Sequence, residues 1–246
     1  MLRMRLRLIK IRTMIKNVVR SSLAKLNVKL KHNDIWNGEG EEELKDLVLE
    51  DPYQEVIDQC SEIVGLMNCF VEIWEKKIRK AVKCNEEALN NCSLLKTHPK
   101  IGDISAFTIL YESGSINRFH FPDKYVAYVG LAPKTRGSAD KYRTGHLSKQ
   151  ANMYLKWIYV KAATHVIRIG KERLWDYYQK EMHRKGKSVV KIALARKITT
   201  GCYYILKNRI DYTTFLKRET QTRRLKCKGI FFKFLVDTFF YRSFFI

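Results

Sequence analysis

Residues 51–91 read DPYQEVIDQCSEIVGLMNCFVEIWEKKIRKAVKCNEEALNN. Within them Val56, Cys60, Ile63, Met67, Phe70, Trp74, Ile78 and Ala81 recur mostly at alternating steps of four and three, the spacing that keeps an apolar seam facing a partner helix. Asp51 can cap and Pro52 suits the first helical position, so a helix is expected from 52 to about 91. At the usual rise it would be about 60 Å long, more than a lone helix sustains in water. It needs a partner, either the first helix of the chain folding back or the same helix of a second copy. Gly65 weakens both arrangements slightly.

Upstream of this helix, Leu8, Ile11, Ile15, Val18, Leu23, Leu26 and Leu30 form one apolar stripe on an otherwise cationic rod, with no acidic residue before Asp34. The pattern breaks at 37–40, where Glu39 and Glu41 to Glu43 begin a short acidic linker. The Arg-rich start lacks the uninterrupted apolar core and cleavage site of a targeting peptide and reads as mature protein.

The 246 residues are 46% apolar, enough for a folded core, and carry 47 Lys plus Arg against 25 Asp plus Glu, a net charge of +22. Such an excess opposes compaction unless a polyanion screens it, so a phosphate backbone is the natural partner; a basic ribosomal or membrane-peripheral surface is the alternative. Six cysteines, none in a C-x-x-C pair, fit free thiols in a reducing cytosol rather than a disulfide frame or a zinc site, and no metal ligand set is expected. No stretch is apolar for the length of a bilayer span, so no membrane partner is expected.

Downstream, Leu94 to Ala106 place a Pro/Gly turn, Pro99-Lys100-Ile101-Gly102, between two apolar helix segments, the pattern of a helix-hairpin-helix. There the backbone N–H groups at a helix start can take a phosphate, with Lys100 at the tip; a plain tight turn between core helices is the other reading. Pro122 opens a short helix through Tyr128, and Gly130-Leu131-Ala132-Pro133 stops it. Residues 134–146 read as a polar, flexible segment. Ser148 is expected to start a helix burying Tyr154, Leu155, Ile158, Ala162 and Val166, followed by helices at 171–185 and 188–207.

The expected fold class is mainly α: long coiled-coil helices followed by a compact helical domain containing a helix-hairpin-helix. Its parts are a basic helix and acidic linker (1–50), a coiled-coil helix (51–92), the compact helical domain (93–212) and a basic, aromatic tail (213–246). That tail is either an amphipathic anchor or read-through sequence outside the fold, and its exposed aromatic clusters favour the second.

The run from Leu94 to Tyr212 resembles the C-terminal transposase domain of the insertion-sequence one-ten (one-sixteen, nine-oh-two) family, bridge-RNA-guided DNA recombinases. The resemblance rests on Pro99 to Gly102, the Phe119 loop, Tyr128-Val129-Gly130-Leu131-Ala132-Pro133, a serine five residues beyond that proline, and Thr144-Gly145-His146-Leu147-Ser148-Lys149 with Asn152 and Leu155. The basic helix and the heptad helix sit where that family carries its coiled coil.

The resemblance implies that Ser138 is a nucleophile on a DNA phosphodiester, and Arg136, Lys141 and Arg143 can reach the phosphate from the same loop. Lys100 and Gly102 at the hairpin tip and Lys149 are further candidates for nucleic-acid contact, with Lys100 and Gln150-Ala151 differing from the family's usual residues. Ala139 and Asp140 stand where the family usually has glycines, which sets a negative charge beside an incoming phosphate. The resemblance also implies a RuvC-like N-terminal domain with four metal-binding acidic residues. It is missing here, so the chain is expected to be N-terminally truncated and to bind no cofactor itself, with magnesium confined to that missing domain. The partners it implies are DNA, a structured guide RNA, and a second copy through the coiled coil or complete transposase subunits, with a cytoplasmic, nucleoid-associated location. A non-catalytic nucleic-acid-binding remnant or regulator is the alternative function.

Overall fold

The computed structural model describes residues 1–32, 35–138, 141–148, 150–171 and 173–227; of residues 134–138, 141–144 and 222–227 it describes the backbone alone. The described residues are mainly helical, with ten α-helices and one two-stranded ribbon. They fall into two compact units, 1–81 and 82–246.

In the first unit α1 (Leu2–Lys25) and α3 (Tyr53–Lys83) run antiparallel. Arg5 Nε donates to Glu75 Oε1 at 2.8 Å, Arg12 donates to Asn68 Oδ1 at 2.7 Å, and Val19 and Leu23 share a buried cluster with Ile57. The partner of the heptad helix is therefore the first helix folded back. The short α2 (Glu39–Lys45) adds Leu44 to that cluster, together with Ile35 from the preceding linker.

From Ile57 to Val71 the seam is rotated by one position from the expected one, and it rejoins it at Ile78. Ile57, Val64, Val71, Ile78 and Val82 are buried, whereas Ile63 and Phe70 are exposed. The sequence carries two overlapping apolar stripes, and α1 covers the one made of β-branched residues repeating every seven positions. On α1, Ile11 and Val18 likewise stay exposed while Leu6 and Leu8 are buried.

The long helix ends at Lys83 rather than near 91. Asn85 turns extended and its side chain accepts the Ala88 N–H at 2.9 Å, capping a separate helix, α4 (Glu86–Lys96). An asparagine competing for backbone N–H groups favours such a restart over continuation.

In the second unit α4 and α5 (Asp103–Ser113) pack together, followed by a 3-10 turn (Ile116–Arg118) and α6 (Pro122–Val129). The segment expected to be a flexible loop is a β-hairpin, β1 (Pro133–Ser138) and β2 (Lys141–Leu147). Among the described residues its two strands pair only with each other, and its sequence has no alternating apolar face for periodicity to detect. The next helix, α7 (Met153–Ile169), begins five residues beyond Ser148, capped by Asn152, whose side chain accepts the Tyr154 and Leu155 N–H groups. After α8 (Arg173–Lys185) comes α9 (Lys187–Asn208), which packs against α4, α6, α7, α8 and α10 (Tyr212–Cys227). The C-terminal half of α9, Ile198 to Leu206, is buried all round, as a central helix requires.

Candidate nucleic-acid interface

Two structures in the second unit carry the residues singled out by sequence. The first is the α4–α5 turn. Here His98 N–H donates to Leu95 O, Ile101 N–H to His98 O, and Lys100 N–H to His98 Nδ1 at 3.2 Å, so the turn is folded around the histidine ring. Burial, and then the nearby Lys100 charge, push the His98 pKa down to about 4, which keeps the ring neutral. Thr97 Oγ1 accepts the Tyr212 N–H at 2.9 Å and ties the turn to the start of α10.

Gly102 is exposed, and a Cβ there would meet nothing within 4 Å, so its backbone is open to an approaching group. Asp103, in the first turn of α5, is bridged to Lys96 Nζ at 2.6 Å. That carboxylate already occupies the positive end of the helix dipole, so an anion held at this turn would depend on Lys96 and Lys100 as well as on backbone N–H groups.

The second structure is the hairpin. Its register pairs Ser138 with Lys141 and Arg136 with Arg143. Positions two apart on a strand, and positions directly paired across it, share a face, so 136, 138, 141 and 143 fall on one face of the ribbon by backbone register. The sequence proposed these four residues as a group, and the fold brings their backbones together. Lys149 lies outside the described residues.

The base of the hairpin is clamped by residues to which the sequence assigned no chemistry. Asn152 N–H donates to Tyr128 O at 3.1 Å, and Asn152 Nδ2 donates to Glu112 Oε2 at 2.8 Å. Tyr128 Oη donates to Glu112 O at 2.9 Å, and the Arg118 guanidinium lies 4.5 Å from the Phe119 and Tyr128 ring centres. Beneath them a buried hydroxyl chain joins Ser113, Tyr125 and Tyr159 at 2.8 Å per link. Burial raises the Tyr125 and Tyr159 pKa values, so both remain neutral hydrogen-bonding groups. Asn152 and Tyr128 belong to the sequence signature, but only the fold reveals Glu112 between them.

Among the described residues no three His, Cys, Asp or Glu side chains gather in a group able to hold a metal, and no helix is long and apolar enough to cross a membrane. The described cysteines are free thiols; Cys92 and Cys202 are buried, and burial raises their pKa values to about 11 and about 12.

Residues 92–179, from the end of α4 through the hairpin and most of α8, match the sequence model of the Transposase IS116/IS110/IS902 family. The chain is 24% identical over 144 residues to the transposase for insertion sequence element IS1111A of Coxiella burnetii, covering 56% of this chain and 38% of that protein. It is 26% identical over 149 residues to the putative transposase y4pF/y4sB of Sinorhizobium fredii, covering 58% and 37%. A probable family 20 transposase of Pseudomonas aeruginosa is 26% identical over 115 residues, covering 46% and 34%. The chain thus spans a little over a third of the length of these curated relatives. Over residues 92–179 the chain is thus similar to the Transposase IS116/IS110/IS902 family, and the relatives it resembles carry transposase names.

Proposed function

We propose that this chain is the serine-bearing part of an insertion-sequence transposase, a DNA recombinase that acts on phosphodiesters with Ser138 as nucleophile. One observation carries the reading: the segment matched to transposases contains the β1–β2 hairpin, whose register groups Arg136, Lys141 and Arg143 with Ser138. The Ser138 Oγ–P bond forms as a P–O bond to the leaving deoxyribose oxygen breaks. The hydroxyl proton is lost, the leaving oxygen takes one up, and the phosphoserine link conserves the bond for rejoining. The three cations stabilise the charge of the pentavalent phosphate, which an unactivated hydroxyl needs.

Lys100, Gly102 and Lys149 hold phosphates away from the reacting one, in DNA or in a structured guide RNA. Magnesium, on this reading, belongs to a RuvC-like domain that works together with this segment. The α1–α3 hairpin is the surface for self-association or for joining complete transposase subunits, and the protein works in the cytoplasm on the nucleoid. Asp140, a negative charge beside the nucleophile, favours a second reading as a non-catalytic nucleic-acid-binding regulator.

The discriminating experiment is denaturing capture of a covalent protein–DNA adduct in the presence of the complete transposase. An adduct lost in Ser138→Ala, with salt-sensitive DNA binding retained, supports the nucleophile. An adduct that persists in Ser138→Ala removes Ser138 from that role, and no adduct in either protein favours the regulator.

A further inference from the structure

Apart from the hairpin, α8, α9, α10 and the ring of His98 enclose a cavity of about 300 Å³. Gly201 and Phe215 line it together. A Cβ on Gly201 would reach Phe215 Cε1 at 3.5 Å, an ordinary contact, so packing does not forbid a side chain there, and its absence leaves the space open. The walls are aromatic. Lys197 Nζ lies 4.5 Å from the Tyr177 ring centre, and the His98 ring lies 4.4 Å from that of Tyr212.

Lys180 and Asp176, both exposed, stand at the cavity, while Arg173 and Glu219 answer each other at 3.3 Å. His98 is only 1% exposed; its Nδ1 accepts the Lys100 N–H, so Nε2 carries the proton. On the wall of the cavity this N–H is a donor that a bound group can use. Neutrality of the ring, its pKa pushed down to about 4, keeps it a donor rather than a buried charge.

A flat π surface, a buried neutral donor, a carboxylate acceptor and cations at the mouth match what one nucleotide offers: stacking faces, a donor-and-acceptor edge and a phosphate. Lipid tails need no buried donor, and an inorganic anion needs no aromatic wall. We propose that this cavity receives one unstacked nucleobase of a single-stranded nucleic acid, with its flanking phosphates held by Lys180 and Lys197. The proposal rests on the reading of this chain as a nucleic-acid-binding protein. It adds a site on α8–α10, mostly beyond the segment matched to transposases. Base stacking is tolerant of sequence, so the site would anchor a strand without reading it.

The test uses the full chain with single-stranded DNA or RNA carrying 5-iodouracil, irradiated and mapped by peptide mass spectrometry, with fluorescence anisotropy measured in parallel. Expected are adducts on Tyr177 or Tyr212 that fall at least about tenfold in Gly201→Leu, which fills the cavity, with strand affinity lowered roughly five- to hundredfold as lost stacking dictates. Should Gly201→Leu lose its helical circular dichroism, Tyr177→Leu decides, through loss of the Tyr212 adduct and the same drop in affinity. Retained binding with adducts only elsewhere, or adducts indifferent to both substitutions, overturns the cavity while leaving nucleic-acid binding intact. Absence of any salt-sensitive binding overturns the underlying reading and the cavity with it. Free mononucleotide competing as well as the strand, or adducts that appear only once residues 228–246 are removed, also overturns it by assigning the cavity a different occupant.

Discussion

Gly130, the left-handed residue that ends α6, lies so close to Ala151, two residues before α7, that a Cβ on Gly130 would collide with the Ala151 methyl. These residues stand just outside the two ends of the β1–β2 hairpin, so this contact fixes where its strands leave the helical body.

Gly130→Ala is accordingly expected to destabilise the protein by roughly 3 kcal/mol, from a positive φ of 81° and from overpacking. Adding Ala151→Gly should recover the packing part and leave the backbone part. Urea denaturation of the two single variants and the double variant measures the coupling, and strict additivity would dismiss the contact.

Asn152 both caps α7 and donates to Glu112. Asn152→Asp keeps the cap, removes the donor and brings two carboxylates together, for a loss of about 1–3 kcal/mol at pH 7. One carboxyl of the pair would then have its pKa raised in the folded state, so the deficit should shrink as pH falls to 5. A pH-independent deficit in thermal melts would contradict the pairing.

His98 is held neutral, with a folded pKa of about 4 against the ordinary 6.5. Between those values the unfolded chain binds a proton that the folded chain refuses. Stability is therefore full above pH 6.5 and falls toward pH 4, by roughly 3 kcal/mol in all. Against the wild type, His98→Gln should lose most of the slope between pH 6.5 and 4; an unchanged slope would assign it to other groups.

The rotated seam of α3 makes neighbouring residues unequal. Val71→Ala, on the face covered by α1, should cost about 2 kcal/mol, while Phe70→Ala, on the exposed flank, should stay within about 0.5 kcal/mol. The reverse order in chemical denaturation would restore the seam read from periodicity.

Lys100 and Arg143 are argued as phosphate contacts, which carry no base information. Replacing both with alanine should weaken binding equally across unrelated DNA sequences and reduce the slope of log K against log salt by roughly 2. A preserved slope in titrations at several salt concentrations would remove both from the interface.

The sequence by itself determined the helical class, the +22 charge and the stop after α6 at Gly130, because each is local: a period, a composition or a turn chemistry. Tertiary structure decided the rest. Which stripe of α3 is buried depended on where α1 lies, since Val56 and Ile57 are both apolar and one step apart. The hairpin escaped periodicity because its polar residues carry no apolar alternation to reveal it. Glu112 and Asn152, forty positions apart, meet through helix packing alone, as do His98 and Tyr212, and no local pattern encodes contacts between residues so distant in the chain.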